Sequence, residues 1–427
     1  MVYYSNIHRR NINNNKIRPT HWFDKYLNQS SENKVIIIGG GISGASTAYS
    51  LATRGYHVTL YEKNTTLASE ASGNPQAILY GNFSGDCTPM LELSLSGYQY
   101  THNLITRELT LKKDYDTCGL IQLAYDDKTL KQHKQILSTN LAKNMCYLVT
   151  PAQIKSIAYE NIKCESGLFF PYGLWVDPRI LVNKLVDKPN ITVKLNTEIK
   201  DLIRKDDGNW QVITANGKID TATNIILCNS YDLTKFTQFN KIYLRKIRGQ
   251  LSIIPRNNNL KTIICNNGYI TPSNNNSYVI GASFKFNNVD SNIKYQEHLE
   301  NLNNIKNILP QITTQINLDE LQGRVSFRSS TTDYVPLVGP IANYDLFKTA
   351  YKDLAKDAKY SINTPCPYLE GLFVNVAHGS KGILTAPLCG EIIADYISNS
   401  PLPISEKLRK ALHPNRFWVK EIIRGGF

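Results

Sequence analysis

Val35-Ile-Ile-Ile-Gly-Gly-Gly-Ile-Ser-Gly44, followed by Val58-Thr-Leu-Tyr-Glu-Lys63, decides how this chain reads. The apolar run 35–38 has the length of a buried strand, and the glycines after it turn the chain directly into a helix. In Gly39-x-Gly41-x-x-Gly44 each glycine has a separate task. Gly39 permits the tight turn, Gly41 lets a pyrophosphate approach the backbone, and Gly44 lets helix and strand pack closely. Ile42 and Ser43 open the helix, whose unpaired first-turn N–H groups favour phosphate charge. Glu62 ends the next strand about 20 residues on, where an acid takes ribose hydroxyls, with Lys63 beside it. Strand, glycines, helix, strand and acid in that order spell a dinucleotide-binding βαβ unit. A glycine-rich turn without a ligand is the weaker reading.

Outward from this unit, the 427 residues suffice for two sizeable cores. No apolar run approaches the ~20 residues of a membrane-spanning helix, and the N-terminus lacks the apolar core of a signal peptide. Eight scattered cysteines without a Cys-x-x-Cys pair speak against a zinc site and a disulfide scaffold. Reduced thiols in the cytoplasm fit better. The net charge of +13 concentrates in 9–18, 241–248 and 407–424. Such a surplus suits a polyanionic partner, and equally a solvated lysine-rich surface.

Residues 1–33 read as a polar extension. Ala68-Ser-Glu-Ala-Ser-Gly-Asn-Pro-Gln-Ala77 must be irregular, and a helical pattern covers 91–111. Residues 154–173 are less regular. Asp177-Pro178 supplies the cap and first position of a helix over 179–186. Residues 191–203 and 210–214 alternate like strands about the hairpin signal Asp207-Gly208. A further buried strand is expected at 224–228, strand-rich sequence at 242–283, and helices at 296–309 and 383–397.

Four more segments carry a resemblance: Ala71-Ser-Gly-Asn-Pro-Gln76, Arg328 with Asp333-Tyr-Val-Pro-Leu-Val-Gly339, His378-Gly-Ser-Lys-Gly-Ile-Leu-Thr-Ala-Pro-Leu-Cys389, and His413-Pro-Asn-Arg-Phe-Trp418. With them the chain resembles the FAD-dependent D-amino-acid oxidase (DAO) family, which includes glycine and sarcosine oxidases. More narrowly, it is similar to the FAD-dependent C-terminal half of the bifunctional tRNA 5-methylaminomethyl-2-thiouridine biosynthesis (MnmC) family. The resemblance implies an α/β fold: a Rossmann-like, glutathione-reductase-like FAD-binding domain with an inserted α+β substrate domain containing a mixed or antiparallel sheet. The expected division is 34–98, 170–235 and 322–427 for FAD, and 99–169 and 236–321 for substrate.

By the same resemblance, the substrate is tRNA with a 5-carboxymethylaminomethyl group on its wobble uridine, in thiolated or unthiolated form. Oxidation of the carboxymethyl carbon and hydrolysis of the imine would release glyoxylate and leave 5-aminomethyl uridine. Arg328 resembles the family's carboxylate-binding arginine; a planar guanidinium holds a carboxylate bidentately. Without the resemblance, an ordinary ion pair would be its simpler reading. Ser72, Gly73, Asn74 and Gln76 are expected to line the flavin or its pyrophosphate. Gly379, Ser380, Lys381, Gly382 and Ile383 place a helix N-terminus where reduced flavin gathers negative charge. His378 reads more simply as a hydrogen-bonded structural histidine. The cations of 407–424 are expected to hold tRNA phosphates, with Trp418 packed in the core.

Two departures stand out. The family's methyltransferase half should precede Val35, where only a short polar segment stands; the expectation is a stand-alone oxidoreductase, with any methylation left to a separate enzyme. Where the family usually has glycine after the 224–228 strand, this chain has Asn229-Ser230. Two alternatives stay open: an oxidase of free glycine, sarcosine or D-amino acids, and a non-catalytic flavin- and RNA-binding protein.

Overall fold

The structure, a computed structural model, describes residues 20–425 except 25, 31, 82–87, 125, 139–144, 240 and 314–315. The basic stretch 9–18 lies outside these residues. Lys34–Ile38 pairs in parallel with His57–Tyr61, and helix Ile42–Ala52 joins them. The pair sits inside a six-stranded sheet ordered Leu337–Ala342, Tyr368–Val376, Asn224–Leu227, Lys34–Ile38, His57–Tyr61, Ile191–Lys194. Only the Leu337–Ala342 strand runs antiparallel to its neighbour. Burial on both faces explains the unbroken apolar run at 35–38. Val35 and Ile37 pack with Ala45, Leu388 and Ile392 on one side; Ile36 and Ile38 pack with Trp210, Phe347 and Trp418 on the other.

A second, nine-stranded sheet is mixed, with Gln322–Ser330 antiparallel along Arg245–Pro255, and Ile263–Cys265 parallel to Leu120–Ala124. Its own core packs Ile254, Ile280, Leu302 and Ile305, with helix Tyr295–Lys306 covering one face. This is the expected α/β architecture.

Local expectations meet several corrections. Residues 20–30 are no extension: Trp22, Tyr26 and Asn28 are buried, and the Tyr26 hydroxyl accepts the Gly371 N–H at 2.9 Å. The expected boundary at 98/99 falls inside helix Pro89–Glu108. The strand Gln322–Ser330, expected to open the last FAD-binding segment, pairs into the nine-stranded sheet instead. The alternating stretch 191–203 splits: Ile191–Lys194 joins the parallel sheet, while Ile199–Arg204 forms the hairpin with Trp210–Thr214. Within the less regular stretch 154–173 the structure places the end of helix Pro151–Ala158 and strand Ser166–Phe170.

Two of the expected phosphate contacts, Arg409 and Arg416, and Arg248 of the 241–248 stretch are structural. Arg248 is fully buried and ion-paired to Glu297. Arg416 is buried against Asp333 at 3.0 Å, and Arg409 against Glu406 at 2.5 Å. A buried guanidinium needs a carboxylate, so these cations are committed to the fold. Trp418 is buried as expected, its indole N–H donating to the Lys241 carbonyl at 3.0 Å. No helix among the described residues is long and apolar enough to cross a membrane.

Candidate active site

Between the two sheets lies a cavity of about 820 Å³, in the range of pockets that enclose whole ligands, roughly 300–1,000 Å³. Its floor is the glycine turn. Gly39 has φ +113°, and a Cβ there would stand 2.7 Å from the Cys228 carbonyl group. A Cβ on Gly44 would overlap the Gly39 carbonyl oxygen, so this glycine closes the strand–helix contact rather than lining the cavity. Gly41, Ile42 and Ser43 do line it. Glu62 lines it too, its carboxylate accepting the N–H of Gly40 at 2.7 Å and of Asn64 at 2.9 Å. Lys63 pairs with Asp232 at 2.9 Å along the same wall.

The small-residue loop arches over the turn. The Ser72 hydroxyl accepts the Ile42 N–H at 3.0 Å, which caps the first helix beside the phosphate position. Asn74 lines the cavity and accepts from Arg324 at 3.0 Å; Arg324 also donates to the Ser69 carbonyl at 2.6 Å. Gly73 and Gln76 correct the expectation. Gly73 is buried against the Arg324 guanidinium. Gln76, 1 % exposed, donates to the Pro272 carbonyl and accepts from the Thr271 hydroxyl. Its amide ties the loop to the second sheet, and Gln76 is not among the residues that line the cavity.

Across the cavity the chain returns at Gly379–Lys381, a single 3₁₀ turn, and runs into helix Gly382–Ile397. Gly379, Ser380, Lys381, Gly382 and Ile383 all line the wall. Burial lowers the pKa of Lys381. His378 is held between Asn375 Oδ1 at 3.0 Å and Thr385 Oγ1 at 2.9 Å, and burial lowers its pKa to about 3. Both ring nitrogens are thus hydrogen-bonded, while the residue also lines the cavity.

Arg328 enters from the nine-stranded sheet. It stands opposite Ile247, and its guanidinium lies over Gly249, where a Cβ would come within 2.8 Å of Nη2. Burial lowers its pKa, opposed by the nearby Tyr269 hydroxyl. Among the described residues no carboxylate pairs with it. That absence is notable here, because Arg248, Arg409 and Arg416 all have one. A desolvated, unpaired guanidinium facing a cavity is an anion site.

The reading from sequence missed Gly249, Asn229, Tyr269 and Arg324. Gly249 and Tyr269 matter through cross-strand pairing, which has no local signal. Asn229 was noted only as a departure; its Oδ1 is shielded and lacks a hydrogen-bond partner among the described residues, while the residue lines the cavity. Ser230, beside it, takes φ +56°, a conformation glycine adopts more easily.

Comparison with known proteins agrees. Residues 34–396 match the family described as DAO, FAD dependent oxidoreductase. The chain belongs to the FAD-dependent oxidoreductases of the DAO family. It is 38% identical over 414 residues to the tRNA 5-methylaminomethyl-2-thiouridine biosynthesis bifunctional protein MnmC of Pseudomonas savastanoi pv. phaseolicola, covering 95% of this chain and 62% of that protein. The MnmC of Chromobacterium violaceum is 37% identical over 410 residues, covering 94% and 62%. The chain thus spans about three-fifths of the length of these relatives. Among solved structures, glycine oxidase from Geobacillus kaustophilus superposes with TM-score 0.72 at 19% identity, covering 90% of this chain and 98% of that one. L-proline dehydrogenase from P. horikoshii gives 0.72 at 19%, covering 92% and 99%.

FAD is the cofactor of this DAO-family chain, and the residues fit it. A Cβ at Gly39 would meet the Cys228 carbonyl and one at Gly41 would stand 3.2 Å from Ser72 Oγ, Glu62 would offer a carboxylate at the ribose position, and Asn229 Oδ1 has no hydrogen-bond partner among the described residues. When bound, FAD would supply a hydride acceptor. The first turn of helix Gly382–Ile397 and Lys381 line the wall from which they would offer it positive potential.

Proposed function

We propose that this chain oxidises the carboxymethyl arm of 5-carboxymethylaminomethyl uridine, with or without the 2-thio group, at the wobble position of tRNA. The observation that carries the reading is Arg328, a buried cavity cation with no carboxylate partner among the described residues. Its fork suits a glycine-like end, a secondary amine bearing a carboxylate. Binding that carboxylate bidentately fixes the adjacent C–H bond toward the cofactor wall and excludes water around it. With FAD bound as hydride acceptor, the carbon would lose a hydride and the amine its proton. Water then adds to the imine, the C–N bond breaks, and glyoxylate leaves a primary amine on the uridine. Likeness to the MnmC proteins named above supports tRNA as substrate. We further propose that the six-stranded sheet holds the cofactor and the nine-stranded sheet the substrate, with the site residues above in those roles.

The test is product analysis. Hypomodified tRNA incubated with the holoenzyme and digested to nucleosides should lose carboxymethylaminomethyl uridine and gain aminomethyl uridine in equal amount. Unchanged nucleosides, with turnover of free glycine or sarcosine instead, would refute the reading.

A further inference from the structure

The sheet face that carries Arg328 continues outward past the cavity. Directly paired residues in antiparallel strands share a face, and Ile247 stands opposite Phe286 on one side and Arg328 on the other. Phe286 therefore lies on the face of Arg328. Its ring, 45% exposed, meets the 42% exposed ring of Phe284 edge to face, with centroids 5.1 Å apart. Phe284 lines the cavity. Arg245, two residues before Ile247 and so on the same face, holds its guanidinium 5.8 Å from the Phe286 centroid. On the other face Lys246 lies 4.2 Å from the Phe327 centroid. The nearby carboxylates Asp290, Glu297 and Glu300 pair with Lys294, Arg248 and Lys285. Arg245 and Lys246 have no carboxylate partner among the described residues.

Two exposed rings beside one uncompensated cation, Arg245, make a poor solvent surface. They match an unpaired nucleotide: bases stack on aromatic faces in any sequence, while the cation takes an adjacent phosphate. A protein partner would call for a wider apolar patch with less charge. We propose that Phe284, Phe286 and Arg245 form a stacking platform for an unpaired RNA base, adjoining the nucleotide whose arm reaches Arg328. The proposal rests on the tRNA reading and names the surface that reading leaves unassigned.

Fluorescence anisotropy of the holoenzyme with a labelled, unmodified RNA stem-loop of anticodon-arm sequence tests it, with the same strand closed into a duplex as control. Phe286→Ala should weaken stem-loop binding about 5- to 100-fold, leave duplex binding and the salt slope unchanged, and keep the flavin spectrum. Phe286→Trp should retain binding. Arg245→Gln should lower the slope of log affinity against log salt by about one. Equal binding by wild type, Phe286→Ala and the Phe284→Ala/Phe286→Ala pair would overturn the platform and leave the tRNA reading standing. A wild-type protein that binds no stem-loop at low salt would overturn both.

Discussion

Replacing Arg328 by methionine separates what this side chain does for substrate from what it does to the fold. The guanidinium is desolvated, has no carboxylate partner among the described residues, and lies over the bare backbone of Gly249. A bidentate grip on a substrate carboxylate makes two charge-assisted hydrogen bonds, each about 1.5–3 kcal/mol. Losing both should lower kcat/KM by about 10²- to 10⁴-fold. Methionine keeps an unbranched apolar stem and removes a buried charge without orphaning a partner. The thermal midpoint should therefore hold or rise. Stopped-flow flavin reduction gives the first number, and melting followed by flavin fluorescence gives the second. Arg328→Lys should recover only part of the rate, because an ammonium lacks the fork. Wild-type reduction by Arg328→Met would refute the assignment. So would a rate loss that merely tracks a lowered midpoint or lost flavin.

Gly249→Ala brings a Cβ within 2.8 Å of Arg328 Nη2; the displaced guanidinium should cost about 10²-fold in kcat/KM while FAD content, read from the visible spectrum, stays full. Glu62→Gln keeps the shape but loses the charge on an acceptor of the Gly40 and Asn64 amides; apoprotein titration should show FAD bound about 10- to 100-fold more weakly. His413 is fully buried, donating to the Tyr368 hydroxyl at 3.0 Å and accepting the Asn415 N–H at 3.2 Å. Burial, with Arg409 and Arg416 nearby, depresses its pKa, so the unfolded chain binds the extra proton. Stability should be full above about pH 6.5 and fall below it by up to ~1.4 kcal/mol per pH unit for this site. Urea midpoints at neutral and mildly acidic pH should show His413→Gln losing less across the interval than wild type.

The local parts of this molecule were legible and the assembled parts were not. The unit from Val35 to Glu62 could be read because each residue's task is set by its immediate neighbours: strand, turn, helix entry, strand end. The helix at Asp177-Pro178 was legible for the same reason, its cap accepting the Arg179 N–H at 2.9 Å. Arg328 was found through a resemblance; nothing in its own vicinity separates it from Arg324, four residues earlier, which clamps a loop. Gly249 shapes the guanidinium site from a different strand, a relation that exists only once the strands pair. Charge misled most. Arg248, Arg409 and Arg416 sit in basic stretches, yet each is buried beside a carboxylate distant or near in sequence. Gln76 was misread because its loop looked ligand-facing, while its amide bonds to Thr271 and Pro272 across the two sheets.

Anaerobic bleaching of the holoenzyme's flavin band tests the central claim most directly. Hypomodified tRNA bearing 5-carboxymethylaminomethyl uridine should bleach it with release of glyoxylate, while free glycine and sarcosine leave it yellow. Bleaching by the free amino acids and none by the tRNA would contradict the claim and make this chain an oxidase of small amines.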